Sequence, residues 1–308
     1  MNSISKLPIT IVIPTLNAEE HLNELLDSVR NVVEDVFIVD SLSLDKTVDI
    51  ALSRGIKIVQ RPFKSTSDQF RWMLKQLPIR TPWTFLMAQD ERFSPSLVED
   101  LRHLFSTSIQ DDIGGFTVKW RLWFMGKPLH AMTDNLRLMR TGRGDVTQVA
   151  CNEHAIVEGR TESLKGILDH KDTLTLFEWY EKQNLWTTRE AIGRIQDNSE
   201  QEKSKLFGMK LQRKMFFKRL VRKSFLASPI FFLYYYFGYG AWRDRRMGMT
   251  WALLRVWVHQ VTSLKEREMR LYGVPKKWPE ARYGDFDKRI LTSALQRQLL
   301  PETNKGTE

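Results

Sequence analysis

One cysteine, Cys151, stands in a chain of 308 residues. That excludes an intrachain disulfide and fits a reducing compartment. Long apolar runs are absent as well. The N-terminus, MNSISKLPITIVIP, holds one lysine and a short strand-like run, without the long apolar region and cleavage site expected of a signal peptide. Phe225–Phe237 is too short to cross a bilayer as a helix, and Pro229 interrupts it. No G-x-G-x-x-G follows the first apolar run, and no G-x-x-x-x-G-K-[ST] occurs anywhere, which argues against a Rossmann dinucleotide site and a P-loop. Internal repeats and low-complexity linkers are missing too.

What is present is an ordinary globular composition, 42% hydrophobic and 27% charged, in a chain long enough for one large domain or two small ones. The net charge of +10 is uneven: residues 1–170 carry 20 Lys/Arg against 22 Asp/Glu, and residues 171–308 carry 27 against 15. The second part therefore calls for an anionic partner: a membrane surface, an acidic acceptor or nucleic acid.

The first half alternates strand and helix. Ile9–Ile13 is a continuous apolar run ending at Pro14. Asn17 is placed to cap a helix bearing Leu22, Leu25, Leu26 and Val29, with Glu20 three residues on. Val36–Val39 is a second buried strand, followed by a helix that Ser43 or Asp45 can cap and that stops at Gly55. Ile56–Val59 and Trp83–Met87 are the third and fourth strands, and Ser94-Pro95 opens a helix through Leu104. This alternation predicts a doubly wound, mostly parallel α/β sheet. From Gly114 an irregular pattern predicts strands and loops covering one end of the sheet. Beyond about residue 172 the chain reads as helical.

Three strand ends would converge on one edge of such a sheet, where ligands bind. They are Pro14-Thr15-Leu16-Asn17-Ala18-Glu19-Glu20, Asp40-Ser41-Leu42-Ser43-Leu44-Asp45-Lys46-Thr47 and Ala88-Gln89-Asp90-Glu91-Arg92. The adjacent acids Asp90 and Glu91 suit a divalent cation and a phosphate-bearing substrate, the alternative being solvated loop charges. In this order and context the stretches resemble the family 2 glycosyltransferases of GT-A fold, in particular the bacterial subgroup that adds β-linked glucose to lipooligosaccharide core and related surface glycans. The family patterns are P-T-x-N-x-E-E, D-S-x-S-x-D-x-T and D-A-D-E-R. The third is matched in part, because Ala88 replaces the first aspartate and Gln89 the alanine. The likeness runs over about residues 8–195, through Gly126-Lys127, Arg137-Leu138, Asn152-Glu153 with Gly159, and Asp169-His170. It is looser at Tyr239–Met249, where the family often has a Gly-rich D-G element.

The resemblance implies a catalytic domain over 1–172, a helical region over 173–308 for acceptor and membrane contact, and a role for each matched residue. Pro14, Thr15, Asn17, Glu19, Asp40 and Ser41 would line a UDP-sugar pocket. Asp40 would accept the uracil N–H with charge assistance, or else cap the following helix. Glu19 could instead be a favourable first-turn acid. Asp90 and Glu91 would hold Mg²⁺ or Mn²⁺ on the diphosphate, with Asp90 essential to catalysis. Lys127 and Arg137 would assist the phosphates, or form surface ion pairs. Glu153 would be the general base that deprotonates the acceptor hydroxyl; Asn152 replaces the family histidine before it. His170 would join the site, while His154 and His170 both retain a structural alternative. Direct displacement would invert the donor sugar.

Lys203–Lys223 contains nine Lys/Arg and no acids, interleaved with Leu206, Phe207, Met215, Phe216 and Phe217. A basic amphipathic helix of this kind favours an anionic membrane surface, with a packed core helix as the alternative. No nucleic-acid motif accompanies the charge, so no nucleic-acid partner is expected. The expected enzyme is therefore cytoplasmic, peripheral on the inner face of the bacterial plasma membrane, and acts on a lipid-linked glycan. Two competing readings are a sugar nucleotidyltransferase, which would need a glycine-rich basic loop after the first strand, and a catalytically impaired membrane assembly partner, which Ala88 favours.

Overall fold

The computed structural model describes residues 5–147, 154–171, 175–196 and 227–274. Strands β1 (Leu7–Thr15), β2 (Val33–Asp40), β3 (Lys57–Gln60) and β4 (Trp83–Leu86) run parallel. With β5 (Glu91–Phe93), β6 (Ile113–Phe124), β7 (Lys127–Arg140) and β10 (Arg160–His170) they form one eight-stranded sheet, in the order β3-β2-β1-β4-β7-β6-β10-β5. Four of its seven pairings are parallel. A separate ribbon pairs β8 (Gly144–Val146) with β9 (Ala155–Val157).

The strand β1 is a continuous apolar run because both its faces are covered. Ile9, Ile11 and Ile13 share a core with α1 (Glu19–Val29), α2 (Thr47–Ser53) and α4 (Pro95–Phe105). Val12, Phe37, Val39 and Leu86 face the other way, onto Phe70 and Met73 of α3 (Thr66–Gln76). Each fully buried isoleucine stabilises the fold by roughly 1.5–3 kcal/mol.

Local details depart from the sequence pattern. Asn17 does not cap α1: Ala18 is the N-cap, without a side-chain bond, and the Ala18 and Glu19 N–H groups donate to Thr47 and Asp45 around the start of α2. The helix α3 was not evident from periodicity; Ser65 caps it by accepting from the Asp68 N–H. The segment from Ile113 is not a cover but supplies three of the sheet's eight strands, β6, β7 and β10. Ile113–Phe116 and Val118 are buried within it, whereas Lys119–Trp123 are exposed or half-buried, so no single alternation runs through β6. Met125 and Gly126 turn β6 into β7, both with positive φ (49° and 73°), as a two-residue hairpin of matching twist requires.

Among the described residues, three helices follow: α5 (Leu176–Gln196), α6 (Ala227–Leu233) and α7 (Arg245–Tyr272). A π-helical turn, Tyr234–Gly238, extends α6, and a 3₁₀ turn, Ala241–Asp244, leads into α7. Phe231, Tyr235, Ala241 and Trp251 of this region share a core with Phe124, Leu129 and Ala131 of the β6–β7 hairpin. Gly248 lies inside a helix because a Cβ there would sit 1.8 Å from the Ala241 carbonyl oxygen. No described helix is long and apolar enough to cross a membrane. The basic Lys203–Lys223 segment lies outside the described residues.

Arg245 has φ 51° and ψ −123°, a backbone conformation that costs a non-glycine residue about 1–3 kcal/mol. Arg245→Gly is expected to raise stability by about 1 kcal/mol, read as a higher denaturant midpoint at unchanged slope. A lower midpoint would show that the guanidinium, not the backbone, dominates there.

Candidate active site

The carboxyl edge of the parallel strands is built from three loops fastened to one another. Two bonds tie β1 to the end of β2: the Thr15 hydroxyl donates to Asp40 Oδ1 (3.0 Å), and the Ser41 N–H donates to Thr15 O (2.7 Å). Beyond them, Asn17 N donates to Ser43 Oγ (2.8 Å) and Leu44 N to Asn17 Oδ1 (2.9 Å). Glu19 N donates to Asp45 Oδ2 (2.9 Å) and Lys46 N to Glu19 Oε2 (3.0 Å). The exchange is reciprocal, so Asn17 and Glu19 hold the shape of the edge. Asn17 is left-handed (φ 48°), which asparagine tolerates, and so is Leu42 (φ 65°), which leucine does not adopt readily.

Asp40 is fully buried and accepts four hydrogen bonds, from Thr15 Oγ1, Ser43 Oγ (2.5 Å), Ser43 N (2.9 Å) and Gln60 Nε2 (3.1 Å). Those four donors occupy all the lone-pair sites of a carboxylate. Pro14 is half-buried at the end of β1, and Ser41 is buried, its hydroxyl receiving Gln69 Nε2 at 3.2 Å.

The third loop follows β4. Gln89, which departs from the family pattern, pairs its amide with both backbone groups of Leu16 (2.8 and 3.2 Å) and so fastens this loop to the first. Arg92 is buried and anchors the loop from below, donating to the Gln89, Glu91 and His21 carbonyls. Asp90 sits at the top. Its Oδ2 lies 3.1 Å from His170 Nε2 at the end of β10 and 3.3 Å from Lys182 Nζ of α5. Burial pushes the Asp90 carboxyl up, but the charges of His170 and Lys182 outweigh it and hold the group well below the usual carboxylate range.

Glu91 does not share that position. It is 1% exposed and opens β5 opposite His170, which turns its carboxylate into the sheet layer. There Oε2 accepts from Ala88 N (2.8 Å), and Oε1 accepts from Trp120 Nε1 (2.8 Å) and Arg137 Nη2 (2.5 Å). Glu91 and Arg137, expected at the metal and at the phosphates, are thus engaged with each other below the edge. Lys127 is exposed at the tip of the β6–β7 hairpin, opposite Phe124. Glu153, the expected base, lies outside the described residues, as do Cys151 and Asn152.

Sequence reasoning missed Lys182. It is 92 positions from Asp90, in a helix whose charges look like a solvated face, and no motif marks it. Two turns further on, Arg189 lies over the Phe63 ring in the segment after β3 (5.8 Å), so α5 crosses above the strand ends. The other side of α5 is fixed to α7, where Lys265 donates to Asn184 O (2.8 Å) and to the Thr187 hydroxyl (2.9 Å).

Among the described residues, the side chains offered to a cation here are the Asp90 carboxylate and the His170 imidazole. Among the described residues no group of three or more His, Cys, Asp or Glu converges. Such a pair fits Mn²⁺ or Mg²⁺ only with substrate phosphates completing the coordination, the common arrangement for phosphate-bearing substrates.

Fold and edge together define an α/β enzyme that binds at the carboxyl ends of a doubly wound sheet. Residues 10–140 match the family model Glycosyl transferase family 2. The lipopolysaccharide core biosynthesis glycosyltransferase LpsC of Rhizobium meliloti (strain 1021) is 30% identical over 252 residues, 78% of this chain and 84% of that protein. An uncharacterized glycosyltransferase of Rickettsia bellii (strain RML369-C) is 29% identical over 39% of this chain and 40% of its own. Among solved structures, S. aureus TarS 1-349 in complex with UDP-GlcNAc aligns over 86% of this chain and 92% of that one, at 15% identity and a TM-score of 0.45, too low to carry an argument. The chain belongs to glycosyltransferase family 2, and it is a glycosyltransferase.

Proposed function

We propose that this glycosyltransferase moves a hexose, glucose first among candidates, from a UDP-sugar to a hydroxyl of a lipid-attached surface glycan, with inversion. The observation that carries the reading is the placement of Asp90 at the carboxyl edge, with His170 Nε2 3.1 Å and Lys182 Nζ 3.3 Å from its Oδ2. Asp90 would hold the divalent ion, joined by His170 once its imidazolium has released its proton, and the ion would supply charge neutralisation to the departing diphosphate. Lys182 adds a second positive charge at the same oxygen, from the α5 side. The uracil N–H would be received by Asp40 once the Ser43 hydroxyl rotates away; Ser43 is half-buried, whereas Gln60 and Thr15 are enclosed. The acceptor oxygen then attacks the anomeric carbon as the bond to UDP breaks, and Glu153 takes the hydroxyl proton. The LpsC relative supports a lipopolysaccharide-type acceptor, and the basic second half supports work at the inner membrane face.

UDP with Mn²⁺ is expected to stabilise the full chain, by about 2.7 kcal/mol at a hundred times Kd, and UDP alone by less. UDP release across a panel of UDP-, GDP- and dTDP-sugars would name the donor. Stabilisation indifferent to metal, with no turnover of any sugar nucleotide, would overturn the reading in favour of an impaired transferase.

A further inference from the structure

The last two helices leave their outer surface uncovered. On α6 and its π-helical extension, Ile230, Leu233 and Phe237 point outward at spacings of three and four residues, while Phe231 and Tyr235 between them are buried. On α7, Met249 and Leu253 point outward one turn apart, away from the buried Trp251. Phe237 is 59% exposed and Leu253 54%, more than a stable core would leave to water. The two helices lie side by side: Gln260 donates to Ser228 (2.9 Å), and Tyr235 packs edge-on to Trp251. A cavity of about 380 Å³ between them is lined by Pro229, Phe232, Leu253 and Trp257, so the apolar surface continues from one helix to the other.

Charge at one end of this surface selects the partner. Arg243, Arg245 and Arg246 are all exposed where the 3₁₀ turn enters α7, and Arg246 lies one turn before Met249. Arg243 stacks on Trp242 (5.4 Å), which is itself 49% exposed. Asp244, the acid among them, is drawn to the other side, accepting from His130 N (2.8 Å) and pairing with His130 Nδ1 (2.7 Å). Arg245, exposed on a strained backbone, adds a third guanidinium to this end.

We propose that this face, Leu233, Phe237, Trp242, Met249 and Leu253 edged by the three arginines, is the surface by which the enzyme lies on an anionic bilayer. An aliphatic and aromatic ridge with a tryptophan and arginines at its margin matches the boundary between acyl chains and acidic headgroups. The proposal rests on the membrane-attached acceptor of the preceding reading and assigns that contact to a described surface, separate from Lys203–Lys223.

The test uses the full chain with Cys151→Ser and one environment-sensitive thiol probe, at Phe237→Cys, Leu253→Cys or, as control, Ile156→Cys on the β8–β9 ribbon. Vesicles of phosphatidylcholine with phosphatidylglycerol are expected to blue-shift the first two probes and leave the third unchanged. Arg243→Gln with Arg246→Gln should weaken co-sedimentation with these vesicles roughly tenfold. Co-sedimentation with no shift at 237 or 253 would overturn the proposal while leaving the membrane reading to other segments. Absence of co-sedimentation would overturn both, with UDP release still judging the transferase reading separately. A shift at 237 and 253 that grows with protein concentration and needs no vesicles would overturn the proposal in favour of a second copy.

Discussion

Asp90→Asn is expected to lower sugar transfer at least about a hundredfold, seen in kcat as well as in kcat/KM. The substitution keeps the size of the side chain and removes its charge. In the native enzyme that charge is secured against burial by His170 and Lys182 on the same oxygen. With Asn, one imidazole and one ammonium converge on a neutral amide, and a divalent ion loses its only carboxylate from this loop, because Ala88 supplies none. Lys182 retains partial solvent access, so the excess charge can relax outward and the fold survives. The decisive combination is a native melting profile with transfer lost. Wild-type transfer by Asp90→Asn would sink the assignment of the diphosphate to this edge. Lys182→Ala should act in the same direction but less severely, since it removes an assisting charge.

The parts of the fold that could be read in the sequence were those whose environment is uniform. Strands β1 and β2 are covered on both faces, so their apolar runs are unbroken, and their polar exits at Thr15 and Asp40 mark the edge. The hairpin β6–β7 defeats the same logic because it begins inside the sheet and ends against the C-terminal helices, so its pattern changes part-way along each strand. Within the site, the three strand ends were legible because the chain must turn there. What each side chain does was less so. Asn17 and Ser43 have the chemistry of helix caps, yet they cap a neighbouring loop instead, a choice set by the spacing of β1 and β2 in three dimensions. Lys182 illustrates the limit: a single cation delivered by a helix 92 positions away leaves no local periodicity to detect.

Glu91→Ala is expected to cost stability rather than metal affinity. The two adjacent acids look equivalent in the sequence, but Asp90 ends the loop and Glu91 begins a strand. Glu91 thereby receives one backbone N–H, the Trp120 indole and the Arg137 guanidinium inside the protein. Truncation leaves the Ala88 N–H and the Arg137 charge without their acceptor, and Arg137 is only 18% exposed. Breaking a buried pair from one side costs about 3 kcal/mol, which in a domain of this size lowers Tm by roughly 6–12 °C. Glu91→Leu combined with Arg137→Met should lose less than Glu91→Leu alone, since removing both partners leaves no buried charge unpaired. Mn²⁺ titration of the folded fraction separates this from the ligand role. A variant with native Tm and abolished Mn²⁺ binding would return Glu91 to the metal, and an additive double mutant would show that its bond to Arg137 holds nothing together. The inward engagement predicts neither, because three donors hold the carboxylate inside the protein and the residue is almost wholly buried.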